Sequence, residues 1–136
     1  MEFIDRDEVP VAHLPGRDIQ RVVGKAASLE SRKMTVGIAR YGLGREVMQP
    51  HQHAEETVFV IDAHHARVRY GPTSDDLPCR IDLKPGLTLH IPEWEWHIFE
   101  WDDDGYAYCL VIYGQVDNIR PEDRAVTESD SEASPR

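Results

Sequence analysis

Two histidines set two residues apart, His51 and His53, are followed at once by Glu55 and Glu56, and His97 opens a later apolar segment. Side chains alternate along an extended strand, so His51 and His53 present both imidazoles on one face. Two neighbouring imidazoles, one carboxylate and one distant imidazole make a donor set for a divalent transition metal. Nitrogen donors with one hard oxygen suit Fe(II), Mn(II), Ni(II) or Zn(II), and donor type alone does not choose among them.

Such a set works only if rigid elements hold it, and the chain's period is two rather than 3.6. Apolar alternation or β-branched runs mark strands over residues 34–41, 57–61, 66–70, 80–83, 87–91, 97–101 and 106–113. Gly42 and Gly44, Gly71-Pro72 and Pro85-Gly86 separate them as turn signals. Asp102-Asp103-Asp104-Gly105 reads as a hairpin turn, and His64-His65 as another, exposed to solvent. Only residues 19–27 suggest a helical turn or two, weakened by Gly24. Short strands at regular spacing predict an all-β fold, an antiparallel sandwich or barrel.

Composition bounds the rest. The chain has 136 residues, 15 Lys and Arg against 25 Asp and Glu, and a formal charge of −10. That length fits one domain with one core. A strongly acidic body without a basic, aromatic-laced stripe is a poor partner for nucleic acid. No apolar run is long enough for a bilayer, and the N-terminus carries acids where a signal peptide needs bases, so a cytoplasmic location is expected. Cys79 and Cys109 form no CxxC and read as small buried apolar side chains. The barrel with its N-terminal arm is expected over residues 1–116. Residues 117–136 form an acidic, Ser-rich tail, expected to be disordered from about residue 127.

The spacing around the histidines resembles the cupin superfamily, as a small single-domain, metal-binding member. The first motif of that family runs from Gly44 through His51-Gln52-His53 and Glu56 to an apolar strand ending at Ala63. The second runs from Gly86 through a strand to Pro92, then a turn and His97. The resemblance covers about residues 34–114. It implies a double-stranded β-helix, or jelly-roll, barrel with one divalent metal on His51, His53, Glu56 and His97. Alignment on the following strand selects Glu56; counting forward from His53 would select Glu55. The sequence departs from the family's pattern at Ala63 and Trp94, where glycine is usual, and at Trp101, where asparagine is usual.

Further residues are candidates for handling substrate. His90, Tyr106 and Tyr108 could move protons, with Glu55 and Glu93 as further bases. Arg40 could clamp a carboxylate, and Phe99 and Trp101 follow the parity of His97 as pocket walls. The resemblance implies a small-molecule enzyme. A dioxygenase on an oxygen-rich metabolite leads, ahead of a non-redox isomerase, epimerase, lyase or cyclase; a binding or sensor module is the third reading. It also implies a homodimer, with the apolar side chains of residues 1–16 laid over a partner or over the arm's own barrel.

Overall fold

The computed structural model of the chain describes residues 1–121 and residue 123. A turn of 3-10 helix, Arg6–Glu8, is capped by the Asp5 carboxylate, which accepts from the Asp7 amide. The strands that follow are β1 (Val11–Leu14), β2 (Arg17–Gly24), β3 (Leu29–Glu30), β4 (Thr35–Gly42), β5 (Glu56–Gly71), β6 (Cys79–Asp82), β7 (Thr88–Ile91) and β8 (Trp96–Tyr113). They order as β1-β2-β4-β8-β5-β6, with β7 added to β5 and β3 to β2. Every pairing except β2–β3 is antiparallel.

The two long strands carry the architecture. β5 and β8 run antiparallel from Glu56 opposite Tyr113 to Gly71 opposite Trp96. The first half of β5 lies between β7 and the second half of β8, whereas its second half lies between β6 and the first half of β8. Two layers therefore share these strands, and their inner faces close on Ala39, Val58, Val60, Val68, Cys109 and Val111. This is the jelly-roll barrel expected from the alternation.

Four local expectations are overturned. Residues 102–105 do not form a hairpin turn, and neither do His64 and His65. His64 pairs with Tyr106 and Ala66 with Trp101, so four residues of β8 sit opposite the single residue His65. Register on both sides holds the strands together, and the surplus is absorbed as a bulge that bends the barrel. Gly105 permits the close approach: a Cβ there would meet the His65 carbonyl oxygen at 2.4 Å. The helical turn expected at residues 19–27 is strand β2, because β-branched Ile19 and Val23 pair along β4, with Val22 in a bulge between them. Cys79 is exposed, at an outward position of β6, while Cys109 is buried.

The ends of the chain are tied to the barrel. β1 pairs with β2, so the arm covers its own barrel. Beyond β8, Gln115 accepts through its carbonyl from the Thr35 hydroxyl, and Ile119 accepts from the Ala54 amide at 2.7 Å. The segment to residue 120 thus crosses the barrel end rather than leaving it at 116. The expectation of disorder from about residue 127 lies outside the described residues.

Candidate metal centre

Imidazoles help fill the hydrophobic core: His53 and His97 stand with Val58 and Val60 among its most deeply buried side chains. His51 and His97 form an antiparallel bridge, each amide donating to the other's carbonyl at 3.0 Å. The Trp94 amide donates to the His53 carbonyl at 2.8 Å, holding the loop before β8 against the segment that carries the HxH pair. Trp94 takes a left-handed φ of 64°, the conformation that glycine would adopt without strain. The loop therefore keeps the turn geometry with a different residue in it.

One ring nitrogen from each of His51, His53 and His97 lies within 4.8 Å of the others. Each Nδ1 is committed to a backbone carbonyl: His51 to Gln49 at 3.1 Å, His53 to Ala54 at 2.8 Å and His97 to Glu95 at 2.8 Å. A carbonyl only accepts, so each Nδ1 carries the proton and each neutral ring turns a bare Nε2 lone pair inward. His53 Nε2 and His97 Nε2 are nevertheless only 3.1 Å apart. Burial pushes the His51 and His53 imidazoles down to about 3, with His97 adding repulsion, and burial lowers His97 as well. Converging bare nitrogens that resist protonation fit a cation, and the carbonyl partners are the outer contacts that orient metal-bound histidines.

Glu56 opens β5 opposite Tyr113, its carboxylate 3.7 Å from His53 Nε2. Burial raises this carboxyl to about 7, against the Tyr113 hydrogen bond and the positive charges of Arg120 and Arg17, which pull it down. Glu55 points the other way and bonds His90 at 2.7 Å on the exposed surface. The parity of the strand thus sends Glu56 to the cluster and Glu55 to solvent.

Around the imidazoles, Arg17, Tyr41, Met48, Phe99, Tyr113 and Arg120 wall a narrow cavity. Tyr41 stacks on Phe99 at 4.5 Å between ring centroids, and Trp101 packs against Tyr41 at 6.3 Å, one layer further out. Burial, with the Glu56 charge adding to it, holds the Tyr41 and Tyr113 phenols protonated.

Other candidates are not brought to the cluster. Arg40 is exposed, with its guanidinium 4.7 Å from the Tyr108 ring centroid. Tyr108 also accepts from Arg6, and Tyr106 donates to Asp62 at 3.0 Å. These side chains alternate with the buried Ala39, Ala107 and Cys109, so they face outward. His90 is exposed on β7. Glu93 is exposed as well. The residues that sequence reading passed over are Arg17, Tyr113 and Arg120, together with Tyr41 as a wall. The signal for Arg17 was strand parity, hidden by the helical reading of residues 19–27.

No family model matches the sequence, and no curated protein matches it. Solved structures do. The polyketide cyclase RemF from Streptomyces resistomycificus superposes with a TM-score of 0.70 at 18% identity, over 89% of this chain and 82% of that one. The DMSP lyase DddQ from Ruegeria pomeroyi DSS-3 gives 0.60 at 18% identity, over 82% of this chain and 54% of that one. HppE in its Fe(II) form gives 0.61 at 12% identity, over 83% of this chain and 60% of that one. The chain has the cupin fold. Among the described residues, no helix is long and apolar enough to cross a membrane.

Proposed function

We propose that the protein is a metal-dependent enzyme acting on a small molecule, with His51, His53 and His97 as nitrogen donors and Glu56 as the oxygen donor. The observation that carries this is the pair of bare Nε2 atoms 3.1 Å apart in a buried site, each ring fixed through Nδ1. A divalent ion bound there would act as a Lewis acid on a carbonyl or carboxylate oxygen.

The protein's own groups favour proton-transfer chemistry of the lyase, isomerase or cyclase kind. Tyr41 and Tyr113 keep their phenolic protons in a cavity shielded from water, where a hydrogen-bond donor stabilises a developing oxyanion strongly. Phe99 and Tyr41, stacked on each other, give that cavity a rigid aromatic wall. The likeness to a cyclase and a lyase supports the same branch. The dioxygenase reading is the second, and the likeness to HppE in its Fe(II) form supports it.

Elemental analysis of untagged protein tests the site. About one metal per chain is expected, lost in a His51→Ala/His53→Ala variant and weakened ~100-fold or more in His97→Ala. Equal metal content in all three proteins would overturn the assignment. Turnover that persists without oxygen selects the proton-transfer branch, and turnover abolished without it selects the dioxygenase. The homodimer is proposed from the sequence resemblance alone. It predicts a solution mass of about twice the chain's 15.6 kDa.

A further inference from the structure

The buried polar side chains of the barrel are Arg17, Gln20, His53, Glu56 and His97 among the described residues. Four of them are accounted for. Gln20 donates to the carbonyls of Arg6 and Val9, and the other three make up the candidate metal centre. Arg17 is the exception. It is 8% exposed, and among the described residues no hydrogen bond or ion pair holds its guanidinium. The neighbouring Arg45 has its two terminal nitrogens held, by Asp18 at 2.5 Å and by the Gly42 carbonyl at 2.8 Å, while its Nε is buried without a partner among the described residues.

What Arg17 does face is a second cation. Arg120 opposes it, and burial together with that repulsion lowers the Arg17 guanidinium from its ordinary range. Arg120 is brought there by the backbone bond from Ala54 to Ile119. Glu56 is the nearby anion, but its charge is directed to a metal once it serves as a donor. The buried Arg17 and the half-buried Arg120 then border one cavity, with Asp123, whose carboxylate accepts from the Arg120 amide at 3.2 Å, as the further carboxylate on its wall. Burying an unpaired cation is unfavourable unless an anion joins it.

The two arginines also stand at a junction. They border both the narrow cavity of the histidines and an adjoining cavity of about 240 Å³. Ile19, Val36 and Val111 give the second cavity an apolar wall, while Arg21 and Lys25 add positive charge; Lys25 is paired with Asp117 at 2.7 Å, and one further carboxylate, Asp123, borders it. In a chain of net charge −10, this concentration of cations is local. The volume falls below the ~300 Å³ usual for drug-sized ligands, so a small occupant fits.

We propose that Arg17 and Arg120 form an oxyanion-binding subsite beside the histidine cluster, and that the substrate is a small organic acid whose carboxylate they hold while its apolar part fills the adjoining cavity. Guanidinium groups bind a carboxylate through paired charge-assisted hydrogen bonds, which fixes orientation as well as charge. The inference rests on the metal-centre reading for what happens next to the carboxylate, but the subsite itself needs only the two arginines.

Titration calorimetry with benzoate, its neutral analogue benzamide, and inorganic phosphate tests it on the full chain, both EDTA-treated and Zn(II)-loaded. Benzoate should bind the wild type and weaken tenfold or more in Arg17→Met and in Arg120→Ala, in both metal states. Benzamide should bind more weakly than benzoate to the wild type. Arg17→Met should also keep or raise the melting temperature, because it removes a buried unpaired charge. A purely structural arginine would instead lower it. Equal benzoate affinity in the variants, or benzamide binding as tightly as benzoate, would overturn the subsite. Phosphate binding more tightly than benzoate, and lost in the same variants, would overturn the carboxylate assignment. Zn(II) stoichiometry, read separately, fails with the metal reading and not with this one.

Discussion

Glu56 makes the metal reading quantitative. Its carboxyl is raised to about 7 by burial, so before metal arrives it holds a proton over much of the neutral range. A metal donor must be ionised, and loading the site expels that proton. With a value near 7 the carboxyl is about nine-tenths protonated at pH 6 and about one-tenth at pH 8. Glu56→Gln removes the proton while keeping an acceptor for Tyr113, so the difference between the two proteins isolates this one group. The imidazoles cancel in the subtraction. Zn(II) titration in buffers of different ionisation enthalpy should therefore show the wild type releasing about 0.9 more protons than the variant at pH 6, and about 0.1 more at pH 8. A carboxyl at the ordinary 4.5 would give about 0.03 at pH 6, an undetectable difference. The same difference at both pH values, or none at pH 6, refutes the assignment of Glu56 as a buried, protonated donor-in-waiting.

Four further outcomes concern stability. In the metal-free protein, Glu56 has a folded-state value above its unfolded 4.5, so its contribution is present below 4.5 and lost as pH rises through 7; Glu56→Gln should be the more stable by up to about 3 kcal/mol at pH 8, read from urea midpoints. His51 and His53 act in the opposite sense, with stability present above 6.5 and lost as pH falls toward 3; two such groups outweigh the one carboxyl, so the metal-free wild type should be most stable near neutral pH. Phe99→Ala deletes a ring that is 2% exposed and stacked on Tyr41, and should lower unfolding free energy by about 3–5 kcal/mol in a denaturant titration. Gly105→Ala forces a Cβ to within 2.4 Å of the His65 carbonyl oxygen and 2.9 Å of the Asp102 amide nitrogen, and should destabilise by about 2 kcal/mol or more, whereas Gly114→Ala, with nothing within 4 Å, should stay within about 0.5 kcal/mol. Equal melting temperatures for the two glycine variants would refute the close-packed bend.

The cluster was legible because its residues sit in short-range order that alternation can read. His51-Gln52-His53 places two rings together, and strand parity then separates Glu56 from Glu55 without knowledge of any partner. The bulge was not legible. Asp102-Asp103-Asp104-Gly105 has the composition of a hairpin turn, and local composition cannot report that residues on both sides remain paired with β5. Long-range register overrode local turn preference there, as it overrode the weak helical signal before Gly24. Tyr106 and Tyr108 show the consequence for the site. Their parity on β8 is that of Leu110 and Ile112, and it sends both phenols outward, while Tyr113 faces Glu56.

The two arginines show why the remainder of the site was out of reach. Arg17 pairs with Tyr41 and Asp18 with Arg40, so adjacent positions on β2 and β4 divide cleanly between the inner and outer faces. Choosing Arg40 as the clamp therefore required only one error of parity, and the outer face offered it a ring, Tyr108, instead of a substrate. Arg120 is harder still: it lies 103 positions from Arg17, in a segment whose composition reads as an acidic tail, and only the bond from Ala54 to Ile119 brings it over the barrel end. A buried cation without a partner is visible only once burial and partners are both known. That is why the feature that points most directly at substrate charge had no sequence signature, although the metal donors beside it did.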